Sequence, residues 1–364
     1  HAPAMIRING QCVPINSQVL PPEAPRNLLA EILTPEQIEE MEEMNELNVG
    51  RALSGVGRFR ISAMRQRGTI AAVIRFITMD VPTLASLSVP LILSNLIMEK
   101  RGLLLMVGAT GAGKSTTMAA MIDHRNENVS GHILTIEDPV EFLFKNKQSV
   151  VNQREVGTDT QSTHLALKNA LRQAPDVIMI GEIRDRETMS AAIAYAQTGH
   201  LCLATLHANN SNQALNRILS FYPVEVRPTM LGDLAASLKA IASQRLLRTT
   251  TGGRIPAAEI MINTSLISQK IEKGDFSGIR EAMDQSMAEG GQTFEQDIAR
   301  LIKEGVVDRK EGMMNSDSPT NLLWRLQNDF SLAANAAKAQ KEARDTPDDQ
   351  PSFTEIVLDV KPAA

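Results

Sequence analysis

Apolar and polar positions keep one rhythm over residues 1–80 and another after Arg101. In the first stretch short runs alternate, as in Met5-Ile6-Arg7-Ile8 and Arg58-Phe59-Arg60-Ile61, the period of half-buried strands. Between them, Pro35 to Leu47 spaces Ile38, Met41 and Met44 three residues apart and fills the other positions largely with Glu36, Glu39, Glu40, Glu42, Glu43 and Glu46. That spacing predicts a helix with a solvated acidic face. Val81-Pro82-Thr83 closes the stretch, because proline fixes φ and turns its predecessor away from the helical region.

After Arg101 the apolar residues gather into short continuous runs, Leu103 to Val107, Ile133 to Ile136, Val177 to Ile180 and Leu201 to Leu206. Runs of this kind suit parallel strands buried on both faces. Ser115 to Arg125, Thr163 to Gln173 and Glu187 to Gln197 predict the crossover helices, and Gly199 sits where a left-handed C-terminal cap belongs. The alternation is that of an α/β sheet. Residues 212–330 read as mainly helical, broken by Pro223, Pro228 and the Gly252-Gly253 turn. From Asn335 onward Ala, Lys, Asp, Pro and Gln dominate, the composition of a poorly ordered tail. The expected division is an N-terminal α+β domain over 1–80, a linker over 81–100, an α/β domain with a helical C-terminal part over 101–330, and a disordered tail over 331–364.

Composition narrows the function classes. A chain of 364 residues exceeds what one core usually holds, and 43% hydrophobic with 22% charged residues is ordinary for a soluble globular protein. Two cysteines, Cys12 and Cys202, exclude a disulfide framework and a four-cysteine zinc site and suit a reducing cytoplasm. The longest apolar stretch, Leu87 to Met98, is interrupted by Ser88, Pro90, Ser94 and Asn95 and falls short of the roughly 18 residues a membrane span needs, so no direct membrane insertion is expected. A net charge of −5 disfavours bulk nucleic-acid binding. His1-Ala2-Pro3-Ala4 ahead of Met5 reads as a truncated, processed or tagged start, without a signal-peptide pattern.

The chemistry begins at Gly108-Ala109-Thr110-Gly111-Ala112-Gly113-Lys114-Ser115, which follows a predicted strand and opens a predicted helix continuing through Thr116. Spacing and context are those of a P-loop: glycines turn backbone N–H groups onto phosphate oxygens, and the helix N-terminus adds its positive end. Lys114 then reaches the β and γ phosphates and Ser115 ligates Mg²⁺. ATP and Mg²⁺ are the expected cofactors. Asp176 to Glu182 is an apolar strand ending in a carboxylate, which a parallel sheet delivers to the P-loop edge, near Mg²⁺ or its water. Thr135-Ile136-Glu137-Asp138-Pro139-Val140-Glu141 also follows a strand; its carboxylates either orient and deprotonate the attacking water or, for Glu137 and Asp138, cap and buttress. His200 and His207 flank one strand and so mark its opposite ends. His207 either senses the γ phosphate or is a satisfied structural histidine.

Four ordered boxes together resemble the type II/IV secretion and pilus motor ATPases, and within them the retraction ATPases of twitching motility. Gly108 to Ser115 is similar to the family's Walker A, Ile136 to Phe142 to its Asp box, Ala174 to Arg184 to its Walker B, and Thr198 to Asn209 to its His box. Val151-Asn152-Gln153-Arg154-Glu155-Val156-Gly157 resembles the connecting segment of retraction ATPases. The likeness runs nearly the whole chain to about residue 330. It implies a RecA-like ATPase domain behind an N-terminal PAS-like domain, assembled as a homo-hexamer at the cytoplasmic face of the inner membrane. It further implies Glu141 as the catalytic glutamate, Glu182 as the Walker B carboxylate, and arginines for the nucleotide among Arg58, Arg60, Arg67 and Arg75.

Smaller signs bear on subtype. Extension ATPases usually carry the four-cysteine site this chain lacks, and Ser277-Gly278-Ile279-Arg280-Glu281-Ala282-Met283 departs from the Ala-Ile-Arg-Asn-type element of primary retraction ATPases. Asn210 to Leu215 and Asn315 to Leu323 also look like the accessory, PilU-like subtype, with the primary, PilT-like subtype nearest. That resemblance implies a primary retraction ATPase and an inner-membrane platform protein as partners. Pro3 to Gly10 resembles an internal strand of the PAS-like domain, so the family's first helix and strand are expected to be missing. A RecA-like nucleic-acid translocase and a non-hydrolysing ring subunit remain the alternatives.

Overall fold

Asn45 stands at φ 62 and reverses the chain one residue after the first long helix ends, which brings the N-terminal elements together. The computed structural model describes residues 2–8, 11–53, 56–77, 80–285 and 288–328; the expected tail over 331–364 lies outside them. Strands β1 (Pro3–Ile8) and β2 (Gln11–Val19) form an antiparallel hairpin. Helices α1 (Ala24–Ala30) and α2 (Pro35–Met44) follow, then β3 (Glu46–Leu53), β4 (Gly57–Gln66) and β5 (Thr69–Ile77), an antiparallel sheet in that order. A capping box between Thr34 and Gln37 opens α2. The helix is shorter than its pattern predicts: Glu46 and Leu47 belong to β3, where Leu47 packs with Leu29, Met41, Ile61 and Ala63, while Met44 is exposed.

The segment over 81–100 does more than link. Its short helix α3 (Ile92–Leu96) buries Leu93 and Leu96, with Ile97 just past its end, against Met118, Met121 and Ile122. From there the chain runs β6 (Gly102–Val107), α4 (Lys114–Asn128), β7 (Gly131–Glu137), β8 (Ser149–Glu155), α5 (Thr163–Ala170), β9 (Val177–Ile180), α6 (Arg186–Gln197), β10 (Leu201–Leu206), α7 (Ser211–Ser220) and α8 (Arg227–Ser237). Strands β11 (Leu238–Arg248) and β12 (Arg254–Ile262) precede α9 (Ser265–Lys273), α10 (Ile279–Gln285), α11 (Phe294–Lys303) and α12 (Arg309–Asn315).

One seven-stranded sheet in the order β12-β11-β6-β10-β9-β7-β8 carries these helices. It is parallel from β11 to β8, and every residue of β6, β9 and β10 is buried, as two-faced burial requires. Cores lie on both faces, one under α5 to α8 and one under α3 and α4. The mainly helical reading of 212–330 needs correction, since β11 and β12 extend the sheet beyond β6. Pro256 is tolerated because β12 is the edge strand and pairs only antiparallel to β11. The connection from β6 passes through α4 to β7, while β10 and β11 flank β6, so a crevice opens at the C-terminal ends of the parallel strands.

Candidate active site

The P-loop lies at that crevice, joining β6 to α4. Gly108 has φ 154, and a Cβ there would meet the carbonyl oxygen of Gln244 at 2.5 Å, so the loop can pack on β11 only through a glycine. Gln244 holds the loop and helix from below: its Nε2 donates to the Ala112 carbonyl at 2.8 Å and its Oε1 accepts from Thr117 Oγ1 at 2.9 Å. Lys114 is buried and its Nζ donates to the carbonyls of Gly108 at 2.7 Å and Ala109 at 3.0 Å. Burial lowers its pKa, while Glu182 and Glu141 pull it back up. Its ammonium is therefore held by its own loop, in reach of any anion that enters.

A cleft of about 630 Å³ opens over the loop. Thr110, Gly111, Lys114 and Ser115 line one wall and Glu137, Asp138, Glu141, Glu182 and His207 another. Gly108, Ala109, Ala112, Gly113 and Thr116 belong to the loop and its helix without lining the cleft. Glu182, just past β9, accepts from Arg184 Nε at 2.6 Å and faces His207 Nε2 at 3.0 Å. Arg184 also reaches Asp138 at 3.4 Å. Thr205 Oγ1 donates to the Gly181 carbonyl at 2.5 Å and ties the ends of β10 and β9 together.

The two candidate bases differ in surroundings. Glu137 ends β7 buried, accepting from Thr135 Oγ1 at 2.6 Å and Gln153 Nε2 at 3.2 Å. Burial pushes its carboxyl up, against the lowering effect of those hydrogen bonds. Glu141 sits exposed in the following loop, its carboxylate engaged in no hydrogen bond or ion pair among the described residues. Ser115 and Glu182 offer a hydroxyl and a carboxylate to the same cleft, a donor set that fits Mg²⁺, which takes one or two protein oxygens and fills the rest with phosphate and water.

Not every sequence candidate reaches the cleft. His200 stands at the N-terminal end of β10, its Nδ1 near Thr198 Oγ1 at 3.1 Å and the Tyr195 carbonyl at 3.2 Å, where it closes the end of α6. A six-residue strand spans about 20 Å, so only its far end, with His207, can serve the site. Arg67 occupies the β4–β5 turn at φ 48, away from the cleft. Arg58 is committed elsewhere, paired with the buried Glu155 at 2.6 Å. Arg60 and Arg75 do line the cleft, brought there by the three-stranded sheet. Gln153, Arg184, Thr205 and Gln244 were not singled out by sequence reasoning; Gln153, Arg184 and Thr205 stood inside segments whose pattern had drawn notice, and Gln244 stood in none.

Comparison with known proteins follows the same lines. A family described as "Type II/IV secretion system protein" matches residues 52–312. The "Type IV pilus ATPase PilU" of Pseudomonas aeruginosa is 45% identical over 321 residues, 88% of this chain and 84% of that protein. The "Type IV pilus retractation ATPase PilT" of the same organism is 36% identical over 88% of this chain and 93% of its own. A crystal structure of the pilus retraction motor PilT with bound ADP superposes with a TM-score of 0.82 at 37% identity, covering 88% of this chain and 92% of that one.

Proposed function

The chain belongs to the type II/IV secretion system protein family, and on that premise we propose that it is the ATP-hydrolysing motor of type IV pilus retraction in its accessory, PilU-like form. It is a RecA-like P-loop ATPase fold with an N-terminal α+β, PAS-like part, read here as 1–80 and 101–330. The observation that carries the reading is convergence: the P-loop, Glu141, Glu182 and two arginines of the other sheet line one cleft. Identity of 45% to a PilU against 36% to a PilT supports the accessory subtype.

In this reading Lys114 leaves the carbonyls of Gly108 and Ala109 for the β and γ phosphates. Glu141, exposed and unengaged, takes the proton of the attacking water. Glu182 is held towards the cleft by Arg184 and His207, and Arg60 and Arg75 offset charge on the γ phosphoryl. Ser115, and through water Glu182, would hold Mg²⁺, which would supply charge neutralisation to the bound phosphates. The working unit is a homo-hexamer at the cytoplasmic face of the inner membrane, acting with a primary retraction ATPase on a platform protein. No helix among the described residues is long and apolar enough to cross a membrane.

Two measurements test this. The purified chain should hydrolyse ATP in a Mg²⁺-dependent manner as a six-membered ring, and cells lacking it should keep surface pili while losing part of their retraction force. A monomer without turnover, or unaltered retraction in the deletion strain, would overturn the proposal.

A further inference from the structure

The segment from Asp138 to Gln148 joins β7 to β8 with neither helix nor strand, yet it carries Glu141. A base on irregular backbone needs external anchors, because a misplacement of about 1 Å can cost on the order of 10²-fold in rate. Asn126 of α4 holds the far end of the segment at Lys145 and Lys147, and beside Glu141 the anchors are two side chains of β8. Gln153 donates through Nε2 to the Phe142 carbonyl at 2.7 Å and accepts through Oε1 from the Phe144 N–H at 2.9 Å. Glu155 accepts through Oε2 from the Val140 N–H at 3.0 Å. Residues two apart on a strand share a face, so both reach the same loop and hold backbone groups on either side of Glu141.

Glu155 has a second engagement. It is 3% exposed and takes Arg58 of β4 at 2.6 Å, an ion pair that spans the two sheets. Gly50 of β3 lies over the pair, where a Cβ would stand 2.7 Å from Glu155 Oε1 and 2.9 Å from an Arg58 terminal nitrogen. A side chain at position 50 would therefore force the ends of Glu155 and Arg58 to shift. Arg58 Nε is buried without a partner among the described residues, so the guanidinium depends on Glu155 for its compensation.

We propose that Gln153 and Glu155 are positioning residues that bracket Glu141, and that Arg58 makes this bracket respond to the place of the N-terminal sheet. The proposal rests on Glu141 acting as the base. The Val-Asn-Gln-Arg-Glu-Val-Gly segment thereby acquires a role: its Gln and Glu set the angle of the catalytic loop, and its Glu reports domain closure to it.

The test is a kinetic series on the full chain, measuring kcat, KM for ATP and affinity for a fluorescent ATP analogue. Gln153→Ala and Glu155→Ala should lower kcat by at least about tenfold with KM within about twofold, because the phosphate cradle is untouched; Gln153→Ala also frees Glu137, which Glu155→Ala leaves in place. Glu155→Gln keeps an acceptor for the Val140 N–H but loses the charge that holds Arg58, so it should match Arg58→Ala in a smaller loss of kcat. Combining those two should cost no more than either alone, as for partners in one interaction. Gly50→Ala, which wedges the pair without removing it, should resemble Arg58→Ala. If Glu155→Ala fails to fold, Gln153→Ala and Glu155→Gln decide. Normal kcat in the Gln153 and Glu155 variants beside an inactive Glu141→Gln would sink the bracket alone; normal turnover in Glu141→Gln would remove the base assignment and the bracket with it. Additive losses for Arg58 and Glu155 would refute the link between sheet and loop.

Discussion

Arg60 on β4 and Arg75 on β5 are directly opposed in register, both line the cleft, and neither has an ion pair among the described residues. Like charges facing each other across neighbouring strands cost the folded state about 0.2–1 kcal/mol, less at physiological salt because Arg75 is exposed. A triphosphate in the cleft would convert that repulsion into shared attraction. Replacing either arginine by alanine should thus move two assays in opposite directions. Without nucleotide, urea or thermal unfolding should show stability unchanged or raised by up to about 0.5 kcal/mol per substitution. Turnover should fall: an arginine that meets transition-state charge is worth about 10³ to 10⁵, and two sharing the task leave each single variant down by roughly 10- to 100-fold, the double variant by more. Both arginines line the cleft of their own chain, so mixing Arg60→Ala with Glu141→Gln subunits should restore nothing. Lower stability with unchanged turnover would make the pair an ordinary basic surface. Rescue on mixing would mean that delivery crosses a subunit interface.

The other expectations are shorter. Lys114→Ala removes a cation worth about 4 kcal/mol against a phosphate at 4 Å with an effective dielectric of about 20, so nucleotide affinity should drop by at least about 10² and turnover vanish; titration with a labelled nucleotide showing unchanged affinity would contradict the cradle. Glu141→Gln should bind ATP yet hydrolyse at least about 10²-fold more slowly, and Glu137→Gln, which keeps an acceptor for Thr135 and Gln153, should lose less; the reverse order in a turnover assay would exchange their roles. Glu259 is buried with Ser211 N–H, Ser211 Oγ and Ser243 Oγ donating to one oxygen at 2.8, 2.7 and 3.0 Å, and burial raises its pKa above the ordinary 4.5. Its neutral form is thus favoured on folding, and the stability it gives below about pH 4.5 is lost as pH rises through the raised folded value; Glu259→Gln should flatten that part of the melting-temperature profile, and an unaltered profile would refute the linkage. Cys202 is buried with its thiol pushed up to about 12, so alkylation of native protein should mark Cys12 and spare Cys202 until unfolding; early loss of Cys202 would show that β10 opens.

What the sequence disclosed and what it withheld divide along physical lines. The P-loop and the strands ending at Glu137, Glu182 and His207 were legible because glycine spacing and two-faced burial leave local marks. Strand β11 left none: Leu238 to Arg248 mixes Ala, Ser, Gln and Leu with Ile241 as its one β-branched residue, and its strand form is set by the open edge of β6; β12 holds Ile255, Ile260 and Ile262, but Pro256 reads against a strand. His200 and His207 look alike in sequence, and only strand direction separates the end that serves the cleft from the end that closes α6. The four arginines were likewise equal in composition. Their register on β4 and β5 and the partner across at Glu155 sort Arg60 and Arg75 into the cleft, Arg58 into the contact between sheets and Arg67 into a turn.

That sorting explains why this cleft needs both sheets. On the side of the large sheet Glu137, Asp138, Glu141, Glu182 and Asp185 line it, and of the two cations there Arg184 is already engaged by Glu182 and Asp138. Among the described Lys and Arg residues on that side, Lys114 alone is left to face a polyphosphate, and it starts out bound to its own loop. On the proposed function Arg60 and Arg75 would supply the missing positive charge, while β4 and β5 stand over the crevice. If both arginines meet the nucleotide, its affinity and the place of the N-terminal sheet would be one linked equilibrium: a force that draws the arginines out would weaken ATP binding by the same factor with which ATP resists that force. If Glu141 is the base, Arg58 on Glu155 would add its loop to this linkage, so the arrangement that attracts the phosphates would also set Glu141 in place. A motor needs this order of events, because hydrolysis that ran ahead of closure would release its free energy before the sheets had moved.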